Sequence, residues 1–103
     1  MTGPQVIKGR YSRGSSSEEI QAALLAEGFD LFPWQDAPGA TYAEHSHPHD
    51  EFIVVTAGTI VFSTGGSDYR LETGDAFRLP AGTVHSAVND GSEPVSYFIC
   101  TRS

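Results

Sequence analysis

His45-Ser-His47-Pro-His49-Asp-Glu51 packs three imidazoles and two carboxylates into one short segment. Imidazole nitrogens and carboxylate oxygens are the donors that divalent transition metals take. A further imidazole, His85, follows in Pro80-Ala-Gly82-Thr-Val-His85. Residues i and i+2 on a strand share a face, so His45 and His47 can reach one ion. Glu51 cannot join them along the same straight strand, because four strand residues would carry it about 13 Å beyond His47. Ligand atoms sit about 2 Å from a metal, so the chain must reverse between His47 and Glu51. Pro48 and Asp50 suit such a turn, and Pro48 withholds a ladder donor. The expected arrangement is two adjacent strands offering three donors, with His85 arriving from a third.

The elements that must hold these residues are mostly strands. Gln5–Lys8 can add an edge strand. Ser15 or Ser16 can cap a helix, with Glu18 or Glu19 as the capping-box partner. Ile20, Ala23 and Leu24 then form a short apolar stripe. Gly28 ends that helix, expected over Glu18–Glu27 and packed across the barrel or a partner subunit. Beyond it, short apolar or alternating runs are separated by Gly, Pro, Asp and Asn, the pattern of an all-β domain. The runs are Phe29–Trp34, Ala40–His47, Glu51–Val55, Thr59–Ser63, Asp68–Glu72, Ala76–Leu79, Val84–Val88 and Val95–Thr101. Thr64-Gly-Gly-Ser67 reads as a hairpin turn. So many short strands favour a small barrel or jelly roll over a flat sheet.

The chain has 103 residues and a formal net charge of −7. That length fits a single domain over residues 1–103 with a modest core. The acidic balance argues against nucleic acid and against an anionic membrane surface as partners. No apolar run is long enough to span a bilayer, and the N-terminus lacks the pattern of a signal peptide. Cys100 is the single cysteine, so no internal disulfide can form. A cytoplasmic location is expected.

Two longer patterns run through these residues. Gly39, His45, His47, Glu51 and Gly58 fall at the spacing of the first cupin motif, and Gly74, Pro80, Gly82, His85 and Asn89 at that of the second. Fifteen residues separate the two, as in compact microbial cupins. The chain therefore resembles the cupin superfamily, with both motifs complete over residues 39–89. The resemblance implies a small antiparallel jelly-roll barrel, a double-stranded β-helix, with one short N-terminal helix. It implies one divalent metal (Fe, Mn, Ni, Zn or Cu) held by His45, His47, Glu51 and His85, with one or two coordination positions open. It also implies a homodimer. Cupin chemistry is diverse, so the fold does not fix the reaction.

The remaining residues read more plainly. Gly58, Gly74 and Gly82 suit positive-φ turns, and Asn89 suits a turn rather than a ligand. His49 falls inside the turn and outside the ligand pattern, so an exposed role is expected. Cys100 lies in an apolar strand and reads as a small buried hydrophobe. Arg78 is expected in a surface ion pair, the alternative being a clamp on a substrate carboxylate. Trp34, Tyr42, Phe62, Phe77, Tyr97 and Phe98 are core or interface material, some of it lining the barrel mouth. The function so indicated is a mononuclear metalloprotein acting on a small molecule, an oxygenase or related enzyme. No residue stands out as a general base. A non-catalytic binding or sensor module is the alternative, and an isomerase or epimerase the weaker one.

Overall fold

A computed structural model describes residues 3–102. Among the described residues, nine strands form two antiparallel sheets that face each other, with one helix outside. The strands are β1 Gln5–Ile7, β2 Asp30–Asp36, β3 Thr41–His45, β4 Glu51–Ala57, β5 Ile60–Thr64, β6 Ser67–Leu71, β7 Ala76–Leu79, β8 His85–Val88 and β9 Val95–Thr101. The larger sheet has the order β1-β7-β4-β9-β2 and the smaller the order β3-β8-β5-β6. This is the all-β jelly-roll barrel that the strand pattern and the two motifs imply.

Helix α1 spans Ser17–Ala26, a residue earlier at each end than expected. Ser16 is the N-cap: its hydroxyl accepts from Glu19 N–H at 3.1 Å, and Glu19 accepts from Ser16 N–H at 2.8 Å. The two bonds satisfy donors that a helix start otherwise leaves open. Ile20 and Leu24 are the buried residues of the stripe. They pack with Phe52, Val54, Ala76, Phe98 and Cys100 on the outer face of the larger sheet. A second cluster, including Ile53, Val55, Ile60, Phe62, Phe77 and Tyr97, fills the space between the sheets.

The division between the two clusters explains β4. Its residues Phe52–Val55 are all buried, without alternation. Ile53 and Val55 point between the sheets while Phe52 and Val54 point under α1. A strand covered on both faces reads as a continuous apolar run. β2 lies at an edge and pairs only with β9, the position in which Pro33 costs no ladder bond.

Gly65 (φ 59°) and Gly66 (φ 79°) join β5 to β6. Two successive positive φ values make the tight hairpin turn that fits the twist of its strands. No helix among the described residues is long and apolar enough to cross a membrane.

Candidate metal centre

The smaller sheet brings His45 and His85 together. They are register partners at the end of the β3–β8 ladder, and their ring centroids lie 4.3 Å apart. His47 is not on β3, as the strand reading required. It lies beyond the strand end, in the loop that leads to β4. Its ring nevertheless sits 4.8 Å from that of His45 and 5.3 Å from that of His85. Two bonds hold this loop against the second motif. Gly82 N–H donates to His47 O at 2.8 Å, and Ala81 N–H donates to Asp50 Oδ1 at 2.7 Å.

One potential ligand atom from each of His45, His47 and His85 lies within 4.8 Å of the others. Glu51 comes from the opposite sheet, since it opens β4. The expectation that its strand neighbours that of His45 is therefore corrected: the chain reverses by crossing between sheets, not by a hairpin within one. Glu51 Oε1 lies 3.7 Å from His47 Nε2, and Oε2 lies 3.5 Å from His49 Nε2. The structure thus assembles three imidazoles tightly and sets the carboxylate beside one of them.

The donor chemistry suits a cation. His45 Nδ1 is 2.7 Å from Ala43 O, and His85 Nδ1 is 2.9 Å from Thr83 O. A carbonyl oxygen only accepts, so both Nδ1 atoms carry the proton. That leaves both Nε2 lone pairs free, and such a backbone contact also orients the ring. His85 is 3% exposed. Burial pushes its pKa below the ordinary imidazole value, and the neighbouring His45 and His47 rings push the same way, against the Thr83 carbonyl. A neutral imidazole is the form that ligates a metal.

These groups open onto a cavity of about 160 Å³ between the sheets. Its other lining includes Phe62, Ile53, Ala87 and Ile99, with Trp34, Tyr42 and Tyr97. Trp34, Tyr42, Phe62 and Tyr97 thus line the cavity, whereas Phe77 is core and Phe98 packs on the outer face.

Asp36 was not visible as a functional residue in the sequence, where it reads as the first residue of a turn. It ends β2 and is 8% exposed. Tyr42 Oη donates to its Oδ1 at 2.5 Å and Tyr97 Oη to its Oδ2 at 2.6 Å. Trp34 Nε1 donates to Tyr42 Oη at 2.8 Å and reaches Asp36 Oδ1 at 3.2 Å. Burial, and then the bond to Asp36, raise the pKa of both phenols above the ordinary value. No local pattern marks Asp36, because its Tyr97 partner lies far along the chain.

Other expectations divide. His49 is an exposed residue of the turn, as expected, although it also approaches Glu51. Gly58, Gly74 and Gly82 all have positive φ. Asn89 is a turn residue just after β8, as expected, but a buried one. It is 1% exposed, donates to Asp36 O and Glu93 O, and accepts from Gly91 N–H. Arg78 is exposed, and among the described residues it forms no ion pair within 4.0 Å, so the expected surface pair is absent.

The sequence and the fold match known proteins. Residues 34–101 match the cupin domain family, and the chain belongs to that family. Germin-like protein 5-1 of Oryza sativa subsp. japonica is 40% identical over 75 residues, covering 65% of this chain and 33% of the rice protein. The chain spans about a third of that rice protein and about half of a germin-like protein of Morus alba. A double-stranded β-helix protein from Klebsiella pneumoniae is 29% identical with a TM-score of 0.62, over 71% of this chain and 65% of that one. The DMSP lyase DddQ from Ruegeria pomeroyi is 25% identical with a TM-score of 0.66, over 74% of this chain and 39% of that one.

Proposed function

We propose that this cupin is a mononuclear divalent-metal protein that acts on a small molecule, with His45, His47, His85 and Glu51 as the metal ligands. One observation carries the reading: three imidazoles converge within 4.8 Å at the wall of a largely apolar cavity. A bound divalent ion supplies Lewis-acid polarisation of an oxygen atom or a place for O₂ at its open positions. The apolar walls Phe62, Ile53 and Ile99 exclude water around that point. Glu51 contributes the negative charge that an ion held only by imidazoles would lack.

The cavity favours an oxygenase-type reaction over an isomerase-type one. Besides the proposed ligands, its ionisable lining residues are Tyr42 and Tyr97. Both donate their protons to Asp36, and both have raised pKa values. Neither is a free general base at neutral pH, and isomerisation needs one.

The test begins with elemental analysis of untagged protein. About one equivalent of a divalent transition metal per chain is expected. O₂ uptake by protein reconstituted with Fe, Mn, Ni or Cu, offered phenols, thiols and diketones, then tests the reaction class. Absence of any retained metal would reject the proposal. Retained metal and tight ligand binding without turnover would instead favour a binding or sensor module.

A further inference from the structure

The Tyr42–Asp36–Tyr97 group is not used by the metal centre, although Tyr42 and Tyr97 line the same cavity. The backbone makes a specific provision for Tyr42. The β3–β8 register runs Tyr42↔Ala87 and then His45↔His85, so β3 holds one extra residue between them. In a regular strand, residues three apart point to opposite faces. A bulge restores them to the same face. Tyr42 and His45 consequently both line the cavity, while Ala43 and Glu44 are exposed.

The hydrogen-bond directions then limit what this group can recognise. Each phenol has one O–H, and both O–H groups point to the Asp36 carboxylate. The Trp34 N–H points to Tyr42 Oη and Asp36 as well. The phenol oxygens retain only lone pairs for any further partner. Among the described residues, no cation lies within 4.0 Å of Asp36. The carboxylate behind the phenols therefore adds negative potential that no paired side-chain cation neutralises.

We propose that Tyr42 and Tyr97 form a second recognition point in the cavity, binding a hydrogen-bond donor on the ligand. The ligand is then a small molecule with an oxygen ligand for the histidine group and a hydroxyl or ammonium group elsewhere. This deepens the metal-centre reading above and rests on it for the first of those two ends. The rest of the cavity lining includes Ile53, Phe62, Ala87 and Ile99, so the rest of the ligand is hydrocarbon.

The test uses straight-chain carboxylates of two to five carbons carrying a terminal hydroxyl, ammonium or methyl group. They are titrated into the metal-loaded and metal-free protein. Trp34 is the only tryptophan, so its indole N–H gives a single NMR resonance that reports on this group directly. At one chain length or more, a donor-ended probe should bind about fivefold or more tighter than its methyl counterpart, the effect of one net hydrogen bond. It should also shift the indole resonance. A preference for ammonium over hydroxyl would mark the charge of Asp36 as part of recognition; a preference for hydroxyl would mark the neutral donor.

Tyr42→Phe and Tyr97→Phe should each reduce the preference without changing metal content. Asp36→Asn keeps both phenols but frees one O–H to donate, so it too should reduce the preference for donors. It carries the test if a phenylalanine variant fails to fold. Equal binding of all three end groups at every chain length would overturn the inference while leaving the metal centre standing. So would a preference that survives in the variants. Failure to retain metal would count against the metal centre alone. The metal-free titration would then decide this point, and donor-ended probes that left the indole resonance unmoved would overturn it.

Discussion

His45 and His85 face each other as the last register pair of β3 and β8, with ring centroids 4.3 Å apart. Each ring is fixed by its own neighbour two residues back: Ala43 O for His45 and Thr83 O for His85. The pair is one half of the proposed centre, built within one sheet. Of the other half, His47 stands on the loop that crosses between sheets, and Glu51 opens β4 opposite Leu79 of β7.

This division sets the expected response to mutation. His85→Ala removes a buried imidazole that the proposed centre uses as a ligand. Loss of an outer-shell partner alone weakens metal affinity about 10–100-fold, so loss of this ligand should exceed that. Glu51→Gln keeps a ligating carbonyl but loses the charge, and a smaller loss is expected. His49→Ala should leave about one metal per chain. Competition against a chromophoric chelator would measure all three. A His49 variant that loses metal as fully as the His85 variant would contradict the ligand assignment.

The parts of this site that depend on local spacing were legible in the sequence. The two motifs give the four donors, and Ser16 with Glu19 gives the helix start. The end of β3 was not legible, because the His47 loop is held by Gly82 N–H and Ala81 N–H from another segment. Nor was the placement of Glu51 on the opposite sheet, since Phe52–Val55 is apolar on both faces and its run does not reveal a partner. The bulge between Tyr42 and His45 arises from pairing with β8. Asp36 acquires its role from Tyr97, 61 positions away. What was missed is consistently a contact between distant segments.

Gly58 connects β4 to β5 with φ 77°, and a Cβ built there would lie 2.5 Å from Pro94 O and 3.0 Å from Val95 Cα. Gly65 also has positive φ, but a Cβ there meets nothing within 4 Å. Gly65→Ala should therefore cost only the left-handed strain, about 1–2 kcal/mol. Gly58→Ala adds a clash with backbone that cannot rotate away, worth about 1–3 kcal/mol more. Chemical denaturation of the two variants would test this contrast. Equal losses would show that the approach to Pro94 is not tight.

Asp75 is 2% exposed and joins β1 to the start of β7. Gly9 N–H donates to Oδ1 at 2.8 Å, Glu72 N–H to Oδ2 at 2.9 Å, and Lys8 Nζ to Oδ2 at 3.0 Å. Burial alone would raise its pKa, but these donors outweigh it and hold the carboxyl below the ordinary value. A carboxyl with a lowered folded-state pKa contributes stability above its unfolded value, about 3.9. That contribution is lost as pH falls through the lower folded value. Asp75→Asn should cost about 2–3 kcal/mol at pH 7. The gap between variant and parent should narrow below about pH 4. A gap that stayed constant down to pH 2 would exclude this linkage.

Cys100 is fully buried on the outer face of the larger sheet, in the cluster that α1 covers with Ile20 and Leu24. Burial, with a smaller effect from Glu27, pushes its thiol up to about 12. Thiol reagents attack the thiolate, so the folded protein should resist a disulfide reagent at pH 8. Labelling should proceed only through opening of the helix or of the whole domain. Leu24→Ala separates this from simple slow chemistry. It removes part of the cover at a cost of about 2–5 kcal/mol, so it should speed labelling while leaving the cysteine unchanged. Stopped-flow or hand-mixed labelling of the two proteins reads the difference directly. Immediate reaction of the parent would mean that α1 does not seal this face, and the outer apolar cluster would then have to be held by something other than the helix.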